Sequence, residues 1–273
     1  NLAWQLLMDG QYEWSCKLYN LLPMEGFACI KSLGIGIALI EMGNYEEART
    51  VIERELVDFP DNAALWVAKG NLHKHQLQFE DALQCIERAL EIDADDTQIR
   101  LSQAMVLAEM KRHNEAIPLL ELLAEEIPNE PVILTNLAYC LLNTGKLEMA
   151  ADMFRNLIGN GCYEANIYNG LYCCYVEMDC PEAALETAIE AFQKAPDRDD
   201  TTYCNLACAY LESGRLEEGK TLVYEGLLKY PDDVGLRLLL QSIEEGGDTM
   251  SGDISIDTCA DMSSTKEGGE KWN

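Results

Sequence analysis

The sequence predicts an all-α protein, an α-solenoid of stacked helix-turn-helix repeats closed by a C-terminal capping helix. Three observations predict it. The stretch CNLACAYLESGRLEEG, residues 204–219, echoes TNLAYCLLNTGKLEMA, residues 135–150, at an offset of 69 residues, two periods of 34 plus one. A small residue after each acidic turn marks that period along the chain: Ala48, Ala82, Ala116, Ala150, Ala184 and Gly219 are spaced 34, 34, 34, 34 and 35 apart. Between the punctuation, apolar residues recur at three- and four-residue steps, as in VIERELV and CIERALEI, which puts them on one helical face. A helix pair this short cannot bury such a face alone, so its neighbours must stack on it.

The elements follow in order. LAWQLLMDGQYEWSCKLYNLL reads as the last part of a first helix, the turn DGQYE and a second helix, so residues 1–28 are expected to form a partial repeat. With no initiator Met, the chain is expected to be a piece of a longer protein. Residues 29–233 divide into six repeats, roughly 29–62, 63–96, 97–130, 131–164, 165–198 and 200–233. Twelve residues before each marker stand Gly36, Gly70, Ala104, Ala138, Tyr172 and Ala207, small except for Tyr172, so two helices can approach closely there. Four residues after it come Ile52, Ile86, Leu120, Phe154, Ala188 and Val223. Gly43, Gly145 and Gly214 end first helices, where positive φ is wanted. Twelve residues after the marker, Pro60, Pro128, Pro196 and Pro231 stop the second helix, with Ala94 and Cys162 in the other two repeats. VGLRLLLQSIEE, residues 234–245, is the expected cap, and residues 246–273, rich in Gly, Ser, Thr and Asp, are expected to be a disordered acidic tail.

Composition narrows the function. Forty-eight acidic against twenty basic residues give a net charge of -28, which disfavours nucleic acid and anionic membranes as partners. No apolar run approaches the roughly 20 residues that cross a bilayer. The leucine-rich start has no basic region before it, unlike a signal peptide. The eleven cysteines are odd in number and include no CxxC pair, which favours reduced, buried thiols and a cytoplasmic location over disulfides. Cys204 and Cys208 are one helical turn apart, with Cys173 at the position of Cys208 one repeat earlier, so a redox or metal sensor is the minority alternative. His73 and His113 fall at packing positions and His75 near a helix end, and no phosphate loop, GxSxG or HExxH is present. No enzyme, catalytic residue, metal or cofactor is therefore expected.

A small residue in the first helix, a Gly turn such as MGNYEEA or TGKLEMA, the marker alanine and a terminal proline together resemble the tetratricopeptide repeat, over residues 29–233. The resemblance implies a right-handed solenoid whose first helices line a concave groove through their second, fifth, ninth and twelfth repeat positions. By register the ninth positions are Ile37, Asn71, Met105, Tyr139, Cys173 and Cys208. The fifth are Leu33, Val67, Leu101, Thr135, Asn169 and Cys204, and Lys74, Leu142, Asn166 and Leu211 complete the groove. Members that hold acidic chaperone C-termini use a Lys, Asn and Arg clamp, of which only Asn71, Asn136 and Asn205 have counterparts here. The expected ligand is instead an extended, largely apolar protein segment anchored between Leu33 and Met105, with its backbone held by Asn166 and Asn169. The opening AWQLLMDGQYE, followed by MGNYEEA, is also similar to the acidic type III secretion chaperones. The leading expectation is a non-enzymatic interaction scaffold or chaperone-like module, and the second is self-assembly through the repeat ends into a homo-oligomer. The stretch GDISIDTCADM, with Ile254 and Ile256, is a candidate internal competitor for the groove.

Overall fold

A computed structural model describes residues 2–21 and 28–245, so the expected tail lies outside the described residues. Two compact units form, one up to Glu126 and one from Ile127. The first holds α1 (Leu2–Met8), α2 (Tyr12–Leu21), α3 (Ala28–Glu41), α4 (Tyr45–Asp58), α5 (Ala63–His75), α6 (Phe79–Ile92), α7 (Thr97–Glu109) and α8 (His113–Glu126). The second holds α9 (Pro131–Asn143), α10 (Leu147–Gly159), α11 (Ala165–Glu177), α12 (Pro181–Lys194), α13 (Asp200–Glu212), α14 (Leu216–Lys229) and α15 (Val234–Glu245). No strand occurs among the described residues. Within each unit every odd helix packs on the even helix after it, every even helix packs on the next odd one, and successive odd helices touch. The fold is an all-α solenoid of helix-turn-helix repeats.

The turn inside each repeat is one motif used throughout. At the end of α3, the Gly43 N–H donates to the Ile40 carbonyl and the Asn44 N–H to the Leu39 carbonyl, which satisfies two carbonyls the helix leaves open. The same pair of bonds recurs after α5, α7, α9, α11 and α13. The pivot residue has positive φ each time: Gly43, Gly145 and Gly214 as the sequence predicts, but also Leu77, Lys111 and Asp179 at 58°, 59° and 56°. Helix packing therefore imposes the left-handed conformation even where no glycine relieves it. After α10 the proline stop is missing, and Gly161 takes over with a φ of 95° and the same two-bond closure onto Ile158 and Leu157.

Close approach follows a size rule. A Cβ on Gly36 would lie 2.9 Å from the Ile52 side chain, and one on Gly70 would lie 3.0 Å from Ile86, so the small residue twelve before the marker makes room for the one four after it. Tyr172, the exception in the sequence, is buried with Ala188 in the same cluster, so the large and small partners are exchanged in that repeat. Where the residue four after the marker is aromatic, the next repeat supplies the room. Phe154 would be 2.3 Å from a Cβ on Gly170, and Tyr19 would be 2.3 Å from one on Gly34. The N-terminal pair obeys the same register, since Ser15 occupies the marker position, is buried, and donates its Oγ to the Ala3 carbonyl at 2.7 Å.

Acidic residues go to helix starts. Asp96, Asp199 and Asp233, and the neutral Asn62, accept from backbone N–H groups opening α7, α13, α15 and α5, and Asp197, at the far end of the same repeat, caps the Ala165 N–H of α11 at 2.9 Å.

Candidate partner-binding wall

The first helices of each unit stand side by side and present one register to the same side. In the first unit, α3, α5 and α7 place Leu33, Ile37, Val67, Asn71, Lys74 and Met105 there, all half-buried, while Leu101 is buried. Ile30, one turn before Leu33, is 52% exposed and extends the apolar surface. Lys74 lies in this apolar setting, and its burial pushes the ammonium pKa down, opposed by the carboxylates of Glu109 and Glu41. His75 Nε2 lies 3.8 Å from Glu41 Oε1, and burial, with Lys74 adding, lowers its pKa.

In the second unit, α9, α11 and α13 leave Tyr139, Leu142, Asn166 and Cys173 half-buried, whereas Thr135, Asn169, Cys204, Cys208 and Leu211 are buried. Three of these residues have structural work that the sequence register did not reveal. The Tyr139 hydroxyl donates to the Asn166 carbonyl at 2.6 Å, and its ring stands edge-on to Phe154 at 5.2 Å, so it joins two repeats. Asn169 Oδ1 accepts from Asn205 Nδ2 at 3.1 Å, which occupies the oxygen expected to hold a ligand backbone. Leu211 turns onto α14, where a Cβ on Gly219 would meet it at 2.8 Å, and so belongs to the core rather than the wall. Large or polar residues at adjoining positions satisfied one another here, and periodicity does not encode which side chain reaches across.

Among the described cysteines, Cys85, Cys140, Cys174, Cys204 and Cys208 are buried. Burial pushes Cys140 up to about 11 and Cys174 up to about 12, and raises Cys16, Cys29, Cys85 and Cys162 as well. Among the described residues no three His, Cys, Asp or Glu side chains are grouped to hold a metal ion. His73 is buried with its Nδ1 2.8 Å from Gln78 Oε1, a packing role.

Residues 72–228 match the family model described as Psidin, N-terminal TPR repeats region, and residues 33–97 match a tetratricopeptide repeat model. The chain belongs to the tetratricopeptide-repeat family. The array is similar to solved structures at low identity, which shows its fold alone. The Cut9-Hcn1 hetero-tetramer of the APC/C matches with TM-score 0.72 and 16% identity over 88% of this chain and 47% of that one. PilW, a type IV pilus biogenesis factor, gives 0.69 and 14% over 79% and 99%. A tetratricopeptide repeat protein of Parabacteroides merdae gives 0.67 and 14% over 88% and 94%. The chain thus spans about half the length of the Cut9-Hcn1 chain that it matches. Among curated protein sequences there is no match to it. No helix among the described residues is long and apolar enough to cross a membrane.

Proposed function

We propose that this tetratricopeptide array is a non-enzymatic scaffold or chaperone-like module that holds an extended segment of a partner protein along the first helices of its units. The observation that carries this reading is the wall of α3, α5 and α7, where Leu33, Ile37, Val67 and Met105 are only half-buried although each belongs to a packed helix. Incomplete burial of apolar side chains in one register over three successive helices is what a groove for an extended chain requires. Membership of a repeat family whose proteins act through protein contacts supports it.

A photo-crosslinking amino acid at Val67 or Met105, compared with one at exposed Glu121 of α8, tests the reading in cells. A partner captured from the wall positions and not from Glu121, and lost in Ile37→Glu/Met105→Glu with unchanged helicity, is the expected result. Equal capture from all three positions counts against it. Tyr139 is not a suitable probe, because its hydroxyl and ring hold two repeats together.

A second reading, assembly of copies through a repeat end, is favoured by Leu2, Met8 and Trp14 of α1 and α2, which are 63%, 56% and 60% exposed. Sedimentation that finds a monomer at every concentration removes it.

A further inference from the structure

One stripe of α5 interrupts the apolar character of the first-unit wall. Val67, Asn71 and Lys74 follow one another at steps of four and three, so they share one face of the helix. One repeat earlier and later the position of Asn71 holds Ile37 and Met105, and the position of Lys74 holds Ile40 and Ala108. An amide and an ammonium therefore stand in the middle of a surface that the neighbouring helices keep apolar.

Neither group is satisfied within the chain. Asn136 Nδ2 donates to the Val132 carbonyl at 2.8 Å and Asn205 Nδ2 to Asn169 Oδ1 at 3.1 Å, whereas the half-buried Asn71 amide makes no hydrogen bond among the described residues. Lys69, earlier on the same helix, has Glu53 at 3.2 Å, but no carboxylate or carbonyl lies in contact range of Lys74 Nζ. Glu41 is instead 3.8 Å from His75 Nε2. Burial lowers the Lys74 pKa even though Glu109 and Glu41 both oppose the shift, so desolvation outweighs their distant charges. A desolvated ammonium with no partner is costly, and such a group in a folded protein calls for an explanation.

We propose that the first-unit wall takes an extended protein segment in which one Asp or Glu has apolar residues two positions to either side, its carboxylate accepting from Lys74 Nζ while the Asn71 amide bonds the adjacent main chain. This rests on the wall reading above and adds the partner's chemistry to it. In an extended chain every second side chain faces the same way, roughly 7 Å apart, and packed helix axes lie roughly 8–10 Å apart. An acid over α5 thus sets its apolar neighbours toward Leu33 and Ile37 of α3 and Met105 of α7. The net charge of -28 is compatible with an acidic anchor, because exposed charges are screened over about 8 Å at physiological salt. Lys74, half-buried among aliphatic side chains, is screened much less.

The test is selection of a random dodecapeptide library on phage against the immobilised full chain, each peptide joined through its C-terminus so that only side chains offer a carboxylate. The expected winners carry one Asp or Glu with an apolar residue two positions to either side. A synthetic winner, acetylated and amidated, should bind about tenfold more weakly in fluorescence anisotropy when its acid is exchanged for the amide. Lys74→Met should reduce that ratio to less than about threefold, while Lys17→Met, which removes the same charge from an exposed position of α2, should keep it. Without peptide, Lys74→Met should leave the urea midpoint unchanged or raise it, since it takes an unpaired charge off the apolar wall. A lowered midpoint would make Lys74 the counter-ion of Glu41 and Glu109 and overturns the proposal. Winners without an acid, or a ratio that Lys74→Met keeps, overturn it too but leave the wall reading standing. No enriched peptide, or winners that Ile37→Glu/Met105→Glu binds equally well, removes both.

Discussion

Tyr172 and Ala188 exchange the sizes that their positions carry elsewhere in the repeats. In the first two full repeats the first of these positions is Gly36 or Gly70 and the second is Ile52 or Ile86, with the glycine in contact range of the isoleucine. In the fifth repeat the tyrosine occupies the glycine site, and alanine replaces the isoleucine, both nearly fully buried. Core volume is therefore conserved by the pair and not by either position. Tyr172→Ala should cost roughly 3–5 kcal/mol, as expected for removing a buried aromatic, and Ala188→Ile alone roughly 1–3 kcal/mol from overpacking. The double variant should recover part of both losses. Urea midpoints of the three variants read this out, and strict additivity would show that the two sites are independent.

Gly170 makes a complementary case. A Cβ there would fall 2.3 Å from Phe154, so Gly170→Ala should destabilise the second unit by roughly 1–3 kcal/mol, and adding Phe154→Leu should relieve most of that. Thermal melts of the single and double variants decide it, since an unrelieved double variant would place the strain elsewhere.

The turn pivots carry strain that can be removed. Leu77, Lys111 and Asp179 hold φ of 58°, 59° and 56°, a region that costs a non-glycine residue roughly 1–2 kcal/mol. Lys111→Gly should stabilise by about 1 kcal/mol, because the exposed side chain has little packing to lose. Leu77→Gly should gain similarly, its side chain being 59% exposed. Gly214→Ala should lose about the same amount. Denaturant midpoints that order these variants differently would show that the turns are not a common motif.

Most of the fold is legible in the sequence because stacking repeats one physical requirement every 34 residues. The marker alanines and the residues twelve before and four after them report helix contacts directly, and those contacts are short-range in the chain. Compensation is harder to read. Tyr172 looks like an error until Ala188 is placed beside it, and nothing in the sequence marks Leu77 as a turn pivot until its φ is known. At the wall, Ile37, Val67 and Met105 are half-buried, whereas Leu211, Asn169 and Tyr139 point to partners in the next helix or repeat. A one-dimensional pattern fixes which helix face a residue occupies. It does not fix where a long or polar side chain ends, and that decides whether the residue meets a ligand or a neighbour.

Acid should weaken the first unit before the carboxylates titrate. Burial lowers the pKa of both His75 and His113 from the ordinary 6.5, so the unfolded chain binds more protons than the folded one once pH falls below that value. The stability contributed by these two residues is present above about pH 6.5 and is lost as pH falls through their folded values. Urea midpoints measured from pH 7.5 to 5.5 should decline, and His75→Gln/His113→Gln should flatten that decline. An unchanged slope in the double variant would assign the acid sensitivity to other groups.

Alkylation should separate the deep thiols from the rest. The Cys140 thiol, at about 11, has roughly one-hundredth of the thiolate that an ordinary cysteine with the reference value of 9.0 has at pH 8, and Cys174, at about 12, has less still. Because the thiolate is the nucleophile, both should react with iodoacetamide at least about 100-fold more slowly in the folded protein than after unfolding in urea. Residue-resolved mass spectrometry over a time course gives each rate. Fast labelling of either residue in the folded protein would mean that the α9 or α11 core opens on the timescale of the reaction, and would return the cysteines to consideration as reactive groups. Slow labelling of both, with the protein otherwise unchanged, places these two sulfurs with the aliphatic side chains of the solenoid core.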